Sequence, residues 1–219
     1  MMPDMVVTII LAAGNSSRFG THKGLIQLGG KSIIRTVAGT ALASSSGLTI
    51  VVLGKESEGL KAELGELPVK TVYNAQFKQG RTGSIKSALE SLSAIQSTAI
   101  VIFPIDCPFV PPKVLNLLIE TLTRQPLDHG ESYWIVPEHD EKRGHPILLF
   151  GPVVGKIQAL EDDYPLRDFL KEANDLGELI HITVPVETRS VLDNIDTRDD
   201  LAGALDREGL TRQGKREGG

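Results

Sequence analysis

The chain has 219 residues, 41% hydrophobic and 23% charged, with a net charge of −5. Such a chain can bury a core without disulfides or a structural metal, and its acidic balance excludes the broad basic face of a general nucleic-acid binder. Its single cysteine, Cys107, excludes an intramolecular disulfide and any paired-cysteine zinc or redox site, which favours a reducing, cytoplasmic setting. The first apolar run, MVVTIILA (5–12), is too short for a membrane span, and Asp4 stands where a signal peptide needs a positive flank, so a mature N-terminus is expected. That run predicts a strand. SIIRTVAGTALAS (32–44) has helical spacing, LTIVVLG (48–54) is a second strand, and ESEGLKAELGEL (56–67) a helix. VKTVY (69–73) is a third strand, TGSIKSALESLSAI (82–95) an amphipathic helix, TAIVIFPID (98–106) a buried strand, and PKVLNLLIETLTR (112–124) a helix with proline in its first turn. Beyond residue 125 the rhythm loosens: YWIVP (133–137) and HPILLF (145–150) read as short strands, mixed or antiparallel in direction. LRDFLKEAN (166–174) is helical, LIHITVPV (179–186) a strand and TRDDLAGALDRE (197–208) a closing helix. Continuous apolar strands separated by helices predict an α/β fold: one mostly parallel sheet with helices on both faces. One domain over 1–208 is expected, followed by a polar, glycine-rich tail at 209–219.

In such a sheet, ligands sit beyond the C-terminal strand ends where the strand order reverses. The loop from Ala12 to Leu25 is long for a strand-to-helix connection, and long ordered loops are usually functional. No acidic residue occurs from Met5 to Lys55. The dinucleotide pattern fails because Ser16 stands two positions after Gly14, and the Walker pattern fails because GKS at 30–32 lacks its upstream glycine. What remains is a run of small residues, which lets backbone N–H groups approach a ligand, together with Arg18 and Lys23 as anion-binding side chains. On composition alone, a solvated glycine-rich loop with two surface cations is an equal alternative.

The segment LAAGNSSRFGTHK matches LAAGxSxRxGxxK, and through it the chain resembles the molybdenum cofactor cytidylyltransferase-like nucleotidyltransferases, the MobA/MocA-like NTP transferase family. Five ordered motifs extend this resemblance over about residues 5–205. It implies a three-layer, Rossmann-like fold of the nucleotide-diphospho-sugar transferase type. It implies that Leu11, Ala12, Ala13 and Gly14 lie against a nucleotide, with Arg18 on its outer phosphates and Lys23 offsetting charge at the α-phosphate.

Asp106 follows a buried strand in the turn VIFPIDCPFVPP, at the sheet edge that carries the first loop. Phosphate chemistry needs a hard cation, and Mg²⁺ typically takes only one or two protein carboxylates besides waters and phosphate oxygens. A helix cap or a local turn is the bland alternative for Asp106. The turn resembles the family's PxDQP, with Cys107 in place of glutamine, and the resemblance makes Asp106 the Mg²⁺ ligand. LDNIDTRDDL resembles DIDTPEDL, with Asn194 at the first aspartate position and Asp196 intact. Asp196 is the favoured second ligand, and Asp193 and Asn194 remain open. Asp199 and Asp200 read more simply as acids favoured by the helix dipole.

NAQFKQGRTGSIKSAL (74–89) resembles the family segment in which asparagine leads to a glycine and then a serine. That implies Asn74, Gly80 and Ser84 around the base and ribose, with Arg81 solvent-facing. Thr82 as an ordinary helix cap is the local alternative. Ala13 tilts the base towards cytidine, since LAAG accompanies CTP use in the family and LAGG accompanies GTP use. EKRGHPILLF (141–150) resembles the RGHPVLF segment, and EDDYPLRDFL (161–170) resembles GDxGARxLL with both glycines lost, to Asp162 and Pro165. These imply Arg143, His145 and Arg167 on the acceptor side. The five histidines, at 22, 129, 139, 145 and 181, show no metal spacing.

The implied reaction moves CMP from CTP to a phosphate of molybdopterin with Mg²⁺ and releases pyrophosphate, with a molybdoenzyme partner and neither nucleic acid nor membrane. Guanylyl or other nucleotidyl transfer, and a non-catalytic nucleotide-binding role, are the alternatives.

Overall fold

The computed structural model describes residues 5–14, 19–92, 98–127 and 130–210. Ten strands and seven α-helices alternate within them. The strands are β1 Met5–Ala12, β2 Gln27–Leu28, β3 Lys31–Ser32, β4 Leu48–Leu53, β5 Lys70–Tyr73, β6 Thr98–Pro104, β7 Tyr133–His139, β8 Lys142–Arg143, β9 Ile147–Phe150 and β10 Ile180–Pro185. The helices are α1 Ile33–Leu42, α2 Ser57–Leu64, α3 Arg81–Glu90, α4 Pro112–Thr123, α5 Pro152–Lys156, α6 Leu166–Asp175 and α7 Arg198–Arg207. None of the described helices is long and apolar enough to cross a membrane.

The main sheet runs β10-β7-β9-β6-β1-β4-β5, with β8 paired to β7. β1 lies parallel to β4 on one side and to β6 on the other, with Ile9 opposite both Ile50 and Ile102. The chain thus winds outward from β1 to β4 and β5, then returns to place β6 on the other flank of β1. The ends of β1 and β6 form the point of reversal where a ligand crevice opens. β9 runs antiparallel to β6 and β7, so β7 and β10 regain the direction of β1. The mixed direction expected for 133–150 resides in β9 and the small β8.

Side-chain alternation along the central strands builds two cores. Ile10, Val51, Val101 and Phe103 face α1, α2 and α4, which supply Ile33, Val37, Leu60, Leu115 and Leu118. Ile9, Ile50, Val52 and Ile102 face the opposite way, onto Ile85 and Leu89 of α3, Val153 and Val154 of α5 and Leu170 of α6. This is the predicted three-layer architecture. Four short elements were not expected. The two-residue Gly29–Gly30 turn, with φ of +55° and +87°, closes the β2–β3 hairpin, whose strands are too short for a period-two signal. β8 is equally short, and α5 has five residues opened by Pro152. Residues 211–219, most of the expected tail, lie outside the described residues.

Candidate active site

Three chain segments converge at the reversal point. β1 delivers Ala13 and Gly14, and a short helical turn at Lys23–Leu25 follows. His22 caps that turn, its Nδ1 accepting from the Gly24 N–H at 3.1 Å. The turn leaves Lys23 only 8% exposed, with Nζ 5.9 Å from the Phe19 ring centroid. β6 delivers Asp106, 6% exposed. The backbone N–H of Ile195 donates to the Asp106 carbonyl at 2.8 Å, docking the 193–196 turn onto the end of β6.

Lys23 Nζ lies 3.0 Å from Asp196 Oδ1 and 3.9 Å from Asp106 Oδ2. A buried ammonium is stable only when its charge is met, and these two carboxylates meet it. Asp196 is set by the cap of α7: Asp200 Oδ2 accepts from the N–H groups of Asp196 at 3.0 Å and Thr197 at 2.7 Å. Asp200 therefore belongs to a capping box, and hydrogen bonding from Thr197 holds its pKa below the ordinary value. The other two candidates in the turn have partners of their own. Asp193 faces Arg207 at 2.8 Å and Arg189 at 3.6 Å. Asn194 Oδ1 accepts from the Cys107 thiol at 3.1 Å. Two of the departures from the family pattern, Cys107 and Asn194, thus touch each other. Burial pushes the Cys107 pKa well above its ordinary value, which leaves a neutral thiol rather than a nucleophile.

Leu11, Ala13, Gly14, Lys23, Gly80, Ser84, Asp106 and Asp196 line one cavity of about 270 Å³. Ala12 is fully buried behind it. Asn74 is also buried and absent from the lining; its Nδ2 donates to Ser84 Oγ at 3.1 Å and its Oδ1 accepts from the Gln76 N–H at 2.8 Å. Asn74 thus stands behind Ser84, in an ordered turn that holds this cavity-lining serine. Arg18 lies outside the described residues.

A second cavity, about 590 Å³, adjoins the first and contains Arg143, His145 and Arg167 in its wall. Its floor is apolar, built from Ile85, Ile102, Trp134, Val136 and Ile147. Trp134 stacks against His181 with ring centroids 4.3 Å apart, and Arg143 lies 5.8 Å from the Trp134 ring centroid. The Arg167 side chain is 86% exposed at the rim and reaches Asp168 at 3.2 Å. Burial lowers the His145 pKa, partly opposed by the charge of Asp106, so the imidazole is neutral at pH 7.

The loop over 160–165 contributes Asp163, Tyr164 and Pro165 to the second cavity, and α3 fastens it. Lys86 Nζ donates to Asp162 Oδ1 and the Leu160 carbonyl, both at 2.7 Å, and Thr82 Oγ1 donates to the Tyr164 carbonyl at 2.5 Å. Thr82 is therefore a loop clamp rather than the helix cap, a position held by Gly80. Neither Asp162 nor Pro165 has positive φ, so the loss of two family glycines costs no strain here. Gly80 bears the close approach instead: φ is +154°, and an added Cβ would stand 2.4 Å from the Asp162 carbonyl oxygen. Gly80→Ala is expected to destabilise the protein by more than about 1 kcal/mol in urea denaturation.

Burial also lowers the pKa of His22, against the opposing pull of the Gly14 and Ala12 carbonyls, and that of His181. An unfolded imidazole binds its proton near 6.5, and these folded ones bind only at lower pH. Between those values the unfolded state carries more protons, so stability is full above about 6.5 and falls as pH drops through the window. The melting temperature should fall between pH 7 and pH 5.5, and His145→Asn should flatten part of that slope.

Sequence reasoning missed Arg81, which reaches Asp106 with Nη2 3.3 Å from Oδ2, and Trp134 in the second cavity. A signal existed for Arg81: it stands one residue after the glycine that opens α3, at the same sheet edge as Asp106. Trp134 carried none, since a strand aromatic reads equally well as core.

Asp106 and Asp196 form an oxygen-only pair, and the described residues contain no group of three or more His, Cys, Asp or Glu side chains able to hold a metal. That donor set fits a hard divalent ion that keeps waters and phosphate oxygens, and does not fit a structural zinc.

Several known proteins are similar to this chain. The molybdenum cofactor cytidylyltransferase of Escherichia coli K12 is 27% identical over 91% of this chain and 95% of its own length. A molybdenum cofactor guanylyltransferase of Rhizobium leguminosarum is also 27% identical, over 91% of each chain. The bifunctional protein GlmU of Legionella pneumophila is 31% identical over 62% of this chain, which spans only 29% of that protein's length. Among solved structures, a nucleotidyl transferase from Methanothermobacter superposes with a TM-score of 0.78 at 21% identity, covering 95% of this chain and 99% of that one. A Mycobacterium tuberculosis protein solved in complex with manganese gives 0.67 at 21% identity, covering 92% and 98%. At these identities the structural likeness shows a shared fold, the nucleotide-diphospho-sugar transferase-like arrangement. The MobA-like NTP transferase domain matches residues 8–177, which include most of the sheet, the lining of the second cavity and that of the first except Asp196, and the chain belongs to that family.

Proposed function

We propose that this protein transfers CMP from CTP to a phosphate of molybdopterin and releases pyrophosphate. The observation that carries this reading is the adjacency of two cavities with Asp106 and Lys23 beside their seam. In-line displacement needs the triphosphate on one side of the α-phosphorus and the attacking phosphate oxygen on the other. The small residues of the first loop and Ser84 would receive the nucleotide, and Arg18 the departing pyrophosphate. Lys23, fixed by two carboxylates, would stabilise charge at the α-phosphate without reorganising. Arg143, His145 and Arg167 would hold the acceptor, the neutral imidazole as a hydrogen-bonding group. A Mg²⁺ ion on Asp106 and Asp196, when bound, would neutralise phosphate charge. The single buried cysteine suits the cytoplasm, where a molybdoenzyme would be the partner.

Ala13 supports CTP over GTP. The relatives carry both specificities in their names, so the base is the point to test first. Pyrophosphate release should be measured with CTP, GTP, ATP and UTP, each with and without Mg²⁺ and molybdopterin. The expected result is release that requires CTP, Mg²⁺ and molybdopterin together. Release with GTP alone would convert the reading to guanylyl transfer, and no acceptor-dependent release with any nucleotide would overturn it.

A further inference from the structure

Arg81 stands at the junction of the two cavities. Leu11, Arg81 and Pro104 line both, and of these Arg81 alone is charged. Its side chain is 71% exposed, yet its guanidinium turns inward to Asp106, with Nη2 3.3 Å from Oδ2. The same Oδ2 faces Lys23 Nζ at 3.9 Å, so two cations share one carboxylate oxygen. They are not equally free to leave. Lys23 is buried and bound to Asp196 at 3.0 Å, whereas Arg81 is long, exposed and attached at the first residue of α3.

A divalent cation on Asp106 would replace the charge that Arg81 supplies and would repel it at close range. The released guanidinium has the second cavity on its other side. That cavity has an apolar, aromatic floor and a cationic wall, the chemistry for a planar or apolar body carrying a phosphate, and a guanidinium can fork onto two phosphate oxygens. We propose that Arg81 couples the two sites: it neutralises Asp106 in the ligand-free protein, and metal binding frees it to hold the acceptor's attacking phosphate. The acceptor half of this proposal rests on the nucleotidyl-transfer reading. The competition with metal for Asp106 does not.

Coupling of this kind is reciprocal, so metal must tighten phosphate binding by the factor with which phosphate tightens metal binding. Trp134, the only tryptophan of the chain, lies in the second cavity and reports its occupancy by fluorescence. Phenyl phosphate, an aromatic phosphate monoester, is the probe. Its affinity should be titrated with and without Mg²⁺ in the wild type, Arg81→Gln and Arg81→Lys, and Mn²⁺ affinity should be read by electron paramagnetic resonance in all three. In the wild type, Mg²⁺ should tighten phenyl phosphate binding by about 5-fold or more. Arg81→Gln should lose that linkage, bind the probe more weakly and bind Mn²⁺ more tightly than the wild type; Arg81→Lys should recover part of the linkage. Retained linkage in Arg81→Gln, unchanged Mn²⁺ affinity, or no quenching by phenyl phosphate in the wild type would each overturn the proposal. Neither titration uses nucleotide or turnover, so a protein that shows the linkage but transfers no CMP would contradict the proposed function alone.

Discussion

Asp106→Asn should slow nucleotidyl transfer by about 10²–10³-fold while the fold persists. The substitution keeps the shape of the side chain and removes the charge on which Lys23 and Arg81 converge. The backbone around it is held independently, because the Ile195 N–H still meets the Asp106 carbonyl and the Cys107 thiol still meets Asn194. Asp196 remains to pair with Lys23, so no ammonium is left buried without a carboxylate. Far-UV circular dichroism should therefore match the wild type. Mn²⁺ affinity should drop with the activity, since Asp106 is one of two carboxylates in the donor set. Rates within a few-fold of the wild type would remove Asp106 from the chemistry.

Lys23→Ala should produce a loss of similar size by a different route. The lysine is placed by its turn, capped by His22, and by two acids rather than by solvent, so it is oriented before substrate arrives. A preorganised cation contributes most where charge develops in a site that excludes water. Without it, Asp106 and Asp196 face each other with less compensation, and a divalent ion becomes the remaining way to neutralise them. Lys23→Ala should thus melt at a lower temperature than the wild type in chelator and gain more than the wild type does when Mg²⁺ is added. Equal metal-induced shifts in both proteins would show that Lys23 and the metal do not address the same acids.

The layered architecture was legible because its strands are buried on both faces and therefore read as unbroken apolar runs. MVVTIILA became β1 with the predicted bounds, and TAIVIFPID became β6 two residues shorter. Elements that tertiary context decides were not legible. β2, β3 and β8 have two residues each, too few for a periodic signal. The site follows the same division. Lys23, Asp106 and Ser84 could be named from the motifs on strand ends, and they line one cavity. Asp193, Asn194 and Asp196 sit in one turn, and they differ in side-chain partners that spacing does not encode: arginines 189 and 207 for Asp193, the Cys107 thiol for Asn194 and Lys23 for Asp196. The Asn74 amide bonds Ser84 and the Gln76 N–H, contacts that no spacing encodes. Arg81 looked like a surface charge because sequence shows exposure but not direction, and its exposed chain folds back across the seam.

The direct test is a crystal grown with CTP and Mn²⁺, read by the anomalous signal of manganese. The predicted density lies between Asp106 and Asp196, with the triphosphate on the Lys23 side of the ion and the base against Ala13 and Ser84. Manganese on other residues, or a triphosphate bound away from Lys23, would contradict the account.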